Sequence, residues 1–241
     1  MGKVSVILPI YNEEKKIRET FNEVSKFSEK NEDYTFIFVD DGSKDNTNKI
    51  LRELMNQSNK NIKLVSYINN SGKGYAIKTG IKYANGDYIC FTDGDLAYSL
   101  DHLKLMNEKL KYFDMVLGKR GLVSDNIHNI KKIRKIFGKT FNTFSKFILG
   151  IGFDDTQAGL KGFKGDIAKK LFSKQKIKGF SFDAEIIYLA KKYNYKILEI
   201  PARVSNGHSY KISKVNLFKD SIKMFFSLLE IRLNNLLGKY D

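Results

Sequence analysis

Tryptophan is absent from this chain, cysteine occurs once and proline twice. A single cysteine excludes an internal disulfide framework and a thiol-rich zinc site. Cys90 stands in the apolar run Tyr88-Ile89-Cys90-Phe91, where a buried strand position is expected. Two prolines, Pro9 and Pro201, leave no proline-rich linker, and neither an internal repeat nor a low-complexity stretch divides the chain. Apolar runs are short as well. None approaches the ~18 residues of a membrane-spanning helix, and the opening Met1-Gly2-Lys3-Val4-Ser5-Val6-Ile7 lacks a signal peptide's apolar stretch and cleavage site. The expectation is a cytosolic-side protein without a transmembrane span.

Acidic residues are the other shortage. Against 42 basic residues stand 27 acidic ones, a formal net charge of +15, which points to an anionic partner. Residues 1–120 carry 19 basic and 17 acidic side chains, whereas 121–241 carry 23 and 10, so the excess lies in the second half. Nucleic acid, an anionic lipid surface or a phosphorylated acceptor would each answer to that charge. What is present in quantity is hydrophobic material, 42% of 241 residues, enough for the core of one substantial α/β domain.

Four β-rich runs, 4–8, 35–39, 62–67 and 88–92, alternate with helical periodicities. The helical spacing is visible in Ile17, Phe21, Val24, then Ile50, Leu51, Leu54, then Ile77, Gly80, Ile81, Ala84. The order βαβαβαβ predicts an α/β fold with a mostly parallel sheet flanked by helices. In such a sheet ligands bind beyond the carboxyl ends of the strands. Those ends read Pro9-Ile10-Tyr11-Asn12-Glu13-Glu14, Asp40-Asp41-Gly42-Ser43, Asn69-Asn70-Ser71-Gly72-Lys73-Gly74 and Asp93-Gly94-Asp95. An electrostatic platform for nucleic acid has no use for acids clustered at strand ends, so no nucleic-acid partner is expected.

In Asp93-Gly94-Asp95, strand alternation would turn positions i and i+2 the same way and bring both carboxylates to one cation. Hard oxygen ligands suit Mg2+ or Mn2+, and two carboxylates leave the rest of the shell to water and substrate phosphates, as a nucleoside diphosphate requires. Asp40 and Asp41 can accept hydrogen bonds from a base or a ribose, and Tyr11 can stack on a base. Asp45-Asn46-Thr47 reads as a helix N-cap. Asn70-Ser71-Gly72-Lys73-Gly74 lacks the spacing of a phosphate loop, and no Gly-x-Gly-x-x-Gly follows the first strand, so kinase-like and dinucleotide readings lose ground. Lys73, at a helix start, either meets an anion or is solvated.

Taken together, Val4-Ser5-Val6-Ile7-Leu8-Pro9-Ile10-Tyr11-Asn12-Glu13, Val39-Asp40-Asp41-Gly42-Ser43-Lys44-Asp45-Asn46-Thr47, Gly72-Lys73-Gly74 and Asp93-Gly94-Asp95-Leu96 resemble glycosyltransferase family 2. Within it, Asp155-Thr156-Gln157-Ala158-Gly159-Leu160-Lys161-Gly162-Phe163 and Phe182-Asp183-Ala184-Glu185 resemble the dolichyl-phosphate glucosyltransferase and polyprenyl-phosphate glycosyltransferase branch. The resemblance implies a GT-A fold, expected over residues 1–210, to which apolar spacing adds an inserted amphipathic helix at 131–150 and a C-terminal amphipathic membrane-interface helix at 211–241. It implies that Pro9, Tyr11, Glu13, Asp40 and Asp41 hold the nucleotide, Asp93 and Asp95 the metal diphosphate, and that the anomeric carbon is inverted.

The transfer expected is of a hexose from a nucleoside-diphosphate sugar, UDP-glucose ahead of GDP-mannose, to a polyprenyl phosphate. The phosphate's second pKa of ~6 makes it anionic at neutral pH, so no strong base is needed. Asp155 with Gln157 is expected to position acceptor or sugar, and Asp183 with Glu185 forms a second candidate pair that also reads as helix-start capping. Arg120 first, then Lys161, Arg203, Lys211 and Lys214, are candidates for the acceptor phosphate. Relatives often carry a Trp and a Gly-Ser-Lys run near 204–214, whereas this chain reads Ser205-Asn206-Gly207-His208-Ser209-Tyr210-Lys211. His208 reads equally as a phosphate contact or as idle.

Two segments remain. Residues 131–149 place Ile133, Ile136, Phe137, Phe141, Phe144, Phe147 and Ile148 along one helical face, and 215–237 place Phe218, Ile222, Phe225, Leu229 and Leu236 on one side. Lysines beside an aromatic face fit a bilayer interface, which predicts peripheral contact with the cytoplasmic face of the membrane. Packing on the core or a homo-oligomer contact is the alternative. A family member acting on a soluble polysaccharide or protein, and a noncatalytic nucleotide or nucleic-acid binding module, are the rival functions.

Overall fold

Strand β1 (Val4–Ile10) occupies the middle of a seven-stranded sheet and pairs in parallel with β2 (Tyr34–Asp41) on one side and β4 (Tyr88–Phe91) on the other. The computed structural model describes residues 2–56, 61–120, 140–153, 155–203 and 217–241, with side chains from 222 onward in the last segment. Beyond β2 lies β3 (Ile62–Tyr67), again parallel. On the other flank β6 (Lys161–Lys164) runs antiparallel between β4 and β5 (Met115–Arg120), and β7 (Ile197–Ala202) closes the edge in parallel with β5. The order is therefore β3-β2-β1-β4-β6-β5-β7. The first four strands, the parallel pairing and the α/β class are as expected; the antiparallel insertion of β6 is not legible in the alternation of the first hundred residues.

Helices cover both faces, and the strands show why. Ile7, Ile37, Val39, Ile89, Phe91, Met115 and Leu117 enter one core cluster, while Val6, Leu8, Phe36, Phe38, Cys90 and Val116 enter the other. Side chains alternate across a strand, so a sheet buried on both faces needs an unbroken apolar run. One layer holds α3 (Lys73–Tyr83), α6 (Gly165–Lys174), α7 (Phe182–Lys192) and α8 (Leu217–Leu236); the other holds α1 (Ile17–Lys30), α2 (Thr47–Met55) and α4 (His102–Leu110). Ile17, Phe21 and Val24 of α1 and Ile77, Gly80, Ile81 and Ala84 at α3 are buried, as their spacing predicts.

A shorter helix, α5, is described at 140–149. Its Phe141, Ser145 and Leu149 are buried, while Phe144 and Phe147 are exposed. Helix α8 departs from the single apolar side expected of it. Leu228, Ile231 and Asn234 face the core, yet Ile222, Phe226, Leu229, Leu233 and Leu236 are exposed on the opposite side. At ~100° per residue the two sets lie on opposed stripes. Phe225, grouped with the outer residues from sequence, instead meets Phe144 edge-on at 5.0 Å between ring centroids. Ile133, Ile136, Phe137 and Phe218 lie outside the described residues or side chains.

Candidate active site

The carboxyl ends of β1, β2, β4 and β5 and the amino end of β6 open on one rim, because β6 alone is reversed. Strand β4 ends at Phe91, so Asp93 and Asp95 ride a turn and not a strand. The turn is closed by Leu96 N–H donating to Asp93 O at 2.9 Å, with Leu96 at φ 50°. The strand alternation expected to align the two acids is thereby corrected: a turn, not a strand, carries them. Gly94 is required there, since a Cβ would lie 2.4 Å from Pro9 O and 2.3 Å from Ile10 Cδ1.

Across the rim, Gly159 presses on Asp93 so closely that a Cβ would sit 2.0 Å from Oδ2. The other carboxylate oxygen, Oδ1, accepts a hydrogen bond from Lys73 Nζ at 2.6 Å. Lys73 is therefore neither solvated nor free to await an anion; it sits on Asp93. Burial alone would lower its pKa, but Asp93, Asp183 and Asp95 outweigh that and raise it. For Asp93, burial raises the pKa and Lys73, Lys161 and Arg120 more than reverse it, leaving the carboxylate below its ordinary value. Asp95 accepts from Ala97 N–H at 3.2 Å.

Asp41 builds the neighbouring wall. Its carboxylate accepts from Tyr67 Oη at 2.8 Å, Asn70 Nδ2 at 2.9 Å, Ser71 N–H at 2.7 Å and Gly72 N–H at 2.9 Å. It thus fixes the start of α3, one residue before Lys73. Asp40 accepts from Ser43 N–H at 3.0 Å and Asn48 Nδ2 at 2.7 Å. Glu13 N–H donates to Thr47 Oγ1 at 2.8 Å, tying the end of β1 to the start of α2, and Tyr11 is exposed nearby. The capping role foreseen for Asp45-Asn46-Thr47 falls to Asp45, which accepts from Thr47 N–H at 3.0 Å and Glu14 N–H at 3.2 Å. The 93/95 and 40/41 pairs are joined through Asp41, Gly72 and Lys73 to Asp93.

Opposite them, Asp155 and Arg120 form a two-pronged pair, Nε to Oδ2 at 2.7 Å and Nη2 to Oδ1 at 2.8 Å, with Arg120 N–H adding a third bond at 3.1 Å. Burial raises the Asp155 pKa, but the guanidinium's hydrogen bonds and charge bring it below the usual carboxylate range. Arg120 keeps 46% of its side chain exposed and Asp155 9%. Gln157 N–H also meets Asp155, at 3.3 Å, and Gln157 Nε2 is buried without a hydrogen-bond partner among the described residues. Arg203 follows Ala202, which registers with Arg120 across β5 and β7, so it stands on the same rim one strand further out. Lys211, Lys214 and His208 lie outside the described residues.

Lys161 and Asp183 lie beneath this surface. Their side chains are 1% and 4% exposed, with Nζ to Oδ1 at 2.6 Å, and the same ammonium donates to Ala158 O at 2.6 Å. Burial pushes Asp183 up and Lys161 down. Lys161, a candidate for an acceptor phosphate, is thus spent on Asp183. Glu185 parts company with Asp183: its carboxylate accepts from Tyr240 Oη at 2.6 Å, Lys176 N–H at 2.8 Å and Ile177 N–H at 2.9 Å. It braces the loop before α7, whose Lys178 O accepts from Tyr75 N–H at the start of α3. Neither acid is a helix cap. What sequence reasoning missed is Gly159, whose only signal is its place inside Asp155-Thr156-Gln157-Ala158-Gly159, and the pairing of Lys161 with Asp183.

The donors around Asp93 and Asp95 limit how a metal ion could be held. No group of three or more His, Cys, Asp or Glu converges among the described residues, so an all-protein cage is excluded there. Two hard carboxylates on a half-buried turn fit Mg2+ or Mn2+ shared with a diphosphate. When bound, such an ion would withdraw charge from a departing diphosphate.

A mostly parallel, helix-flanked sheet with an acidic rim is the GT-A arrangement of nucleotide-sugar transferases, and solved structures agree with it. Glucosyl-3-phosphoglycerate synthase from Mycobacterium tuberculosis in complex with UDP superposes with a TM-score of 0.69 at 17% identity, over 96% of this chain and 80% of that one. The same enzyme with Mn2+ and UDP-glucose gives 0.66 at 15%, over 96% and 79%. A profile of glycosyl transferase family 2 matches residues 5–172, and the chain belongs to that family. It is 33% identical to a dolichyl-phosphate β-glucosyltransferase of Dictyostelium discoideum, over 98% of this chain and 75% of the relative. Similar relatives of that name occur in Homo sapiens, 29% identical over 99% and 77%, and in Saccharomyces cerevisiae, 30% over 98% and 76%.

Proposed function

We propose that this glycosyltransferase moves glucose from UDP-glucose to a dolichyl-type polyprenyl phosphate, with inversion, at the cytoplasmic face of a membrane. The observation that carries the reading is Arg120, pinned by Asp155 on the rim that also bears Asp93. An acceptor that is itself a phosphate must approach a diphosphate, and that approach needs a fixed cation beside the donor site. The names of the relatives supply the sugar and the lipid.

In this reading Pro9, Tyr11, Glu13, Asp40 and Asp41 hold the nucleotide. Asp93 and Asp95 hold Mg2+ or Mn2+ with the diphosphate, and Lys73 serves the same diphosphate. Arg120 and Arg203 orient the acceptor phosphate, joined by Lys211 and Lys214. Gln157 Nε2 donates to an oxygen of sugar or acceptor, which satisfies a buried amide otherwise left without a partner. Asp155 is a poor general base while Arg120 holds it ionised, and Asp183 is enclosed, so both position their partners. The attacking oxygen is already anionic, which makes such a base unnecessary.

The outward stripe of α8 with Phe144 and Phe147 of α5 favours a lipid acceptor over a soluble one. Those side chains leave apolar surface in water unless a bilayer takes it up. Among the described residues no helix is long and apolar enough to cross a membrane. Residues 1–210 form the catalytic unit in this reading and 211–241 its membrane-facing addition. The test is transfer from UDP-glucose, GDP-mannose and UDP-galactose to polyprenyl phosphate and to soluble glycan acceptors, repeated with Asp93→Ala. Glucose on the lipid phosphate, lost in the variant, is the expected result; transfer only to the soluble glycan overturns the lipid assignment.

A further inference from the structure

The pair Lys73–Asp93 raises a question of charge that the proposed donor site does not answer. Lys73 Nζ lies 2.6 Å from Asp93 Oδ1, with the lysine side chain 17% exposed and the aspartate 30%. An ammonium at that distance covers Oδ1, one of the two oxygens that a metal ion would use. The remaining oxygen, Oδ2, faces Gly159, where a Cβ would fall 2.0 Å away. A cation arriving at Asp93 therefore meets an occupied carboxylate.

The surroundings are close to charge balance. Asp93, Asp95, Asp155 and Asp183 are interleaved with Lys73, Arg120 and Lys161. With all of them ionised the cluster carries one net negative charge. A divalent cation alone reverses that sign, whereas the same cation with the two charges of a sugar diphosphate leaves it unchanged. Like charges at ~4–6 Å repel in a partly desolvated site.

The backbone of Lys73 is fixed by packing, and its side chain is held at the tip by Asp93. Gly72 N–H is bound to Asp41 at 2.9 Å, and Tyr75 N–H to Lys178 O at 3.1 Å. A Cβ on Gly74 would strike Phe182 Cβ at 2.6 Å, so the first turn of α3 is packed in place. The four-carbon stem of a lysine can nonetheless swing its ammonium from one anion to another.

Resting on the nucleotide-sugar reading of this site, we infer that Lys73 is the resident cation of Asp93 in the substrate-free protein. It yields the carboxylate to a divalent ion only when a nucleoside diphosphate arrives to receive the ammonium. Metal and nucleotide then bind as a coupled pair, and a metal ion alone binds poorly. The ammonium would then neutralise charge on the departing diphosphate alongside the ion.

Mn2+ binding to the full chain, read by electron paramagnetic resonance with and without UDP, tests this without recourse to catalysis. In the wild-type protein UDP should tighten Mn2+ by at least about tenfold. In Lys73→Met, and in Lys73→Gln as a second neutral variant, Mn2+ alone should bind about tenfold tighter than in wild type and its coupling to UDP should shrink, each tenfold step being ~1.4 kcal/mol. Lys73→Arg, which keeps the charge, should resemble wild type. Mn2+ that binds neutral variants and wild type equally in the absence of UDP, while UDP still recruits it, overturns the handover and leaves the transferase reading standing. Mn2+ that binds none of the proteins even with UDP overturns both.

Discussion

Gly159 lies against the carboxylate of Asp93, so near that a methyl group would fall within 2.0–2.4 Å of all three carboxylate atoms. Backbone from the β6 side of the site thereby sets the position of an acid carried by β4. Gly159→Ala is expected to push Asp93 aside without touching its chemistry. Catalytic geometry displaced by ~1 Å loses on the order of 100-fold in rate, so a fall of about that size in kcat/KM should appear. The circular dichroism spectrum should be unchanged. A variant with wild-type turnover would show that Asp93 has no fixed place in the reaction.

The Lys161–Asp183 pair makes a separable prediction about stability. Removing one member of a buried ion pair strands the other charge, at a penalty of about 3–5 kcal/mol, whereas replacing both by apolar groups is often neutral or stabilising. Lys161→Met should therefore unfold at markedly lower urea concentration, and Lys161→Met/Asp183→Leu should recover most of the loss. The double variant should still transfer sugar poorly, because Asp93 and Lys73 lose two charges of their electrostatic setting. Equal urea midpoints for the single and double variants would mean that the pair is not coupled.

The pH dependence follows from Asp155. Its folded pKa is depressed, so its pairing with Arg120 contributes stability fully above the unfolded value of ~3.9 and loses it as pH falls through the folded value. Urea midpoints should drop in that acid range, and less so in Asp155→Asn. Catalysis should decline earlier. With a phosphate acceptor the acid limb of kcat/KM belongs to the second ionisation of the lipid phosphate, at about 6. An acid limb near 4 with that acceptor would place the critical ionisation on the protein.

The parallel half of the sheet was legible because its signals are local: apolar runs, helical spacing, and acids following each run. Ile77, Gly80, Ile81 and Ala84 are buried as their spacing requires. The reversed strand β6 was not legible, since Lys161-Gly162-Phe163-Lys164 is only four residues long and its partners lie 44 to 76 positions away. Pairings such as Lys73 with Asp93 or Lys161 with Asp183 depend on that long-range topology. For the same reason the kinship of Asp183 and Glu185, two residues apart in one helix, dissolved: their side chains leave opposite ways, one to Lys161 and one to Tyr240. Asp93 and Asp95 stand out by their Asp-Gly-Asp spacing, although the element that carries them is a turn and not a strand.

The two faces of α8 explain why its sequence alone could not settle its role. Apolar residues at 222, 226, 229, 233 and 236 recur at intervals of four and three, and so do Met224, Leu228 and Ile231 on the buried side. A helix with only the second stripe would be an ordinary cover for the core; the first has no counterpart among the described residues. Phe226 and Leu233 are 61% and 55% exposed, so Phe226→Asp/Leu233→Asp should leave the thermal midpoint near that of wild type. Sedimentation with anionic phospholipid vesicles should show the difference. Excluding two large apolar side chains from a bilayer, at ~1.5–3 kcal/mol each when fully buried, should weaken partitioning by at least about tenfold. Transfer to a short, water-soluble polyprenyl phosphate should continue. Unaltered vesicle binding would direct the stripe to another surface, and an equal loss with the soluble acceptor would tie it to the catalytic centre.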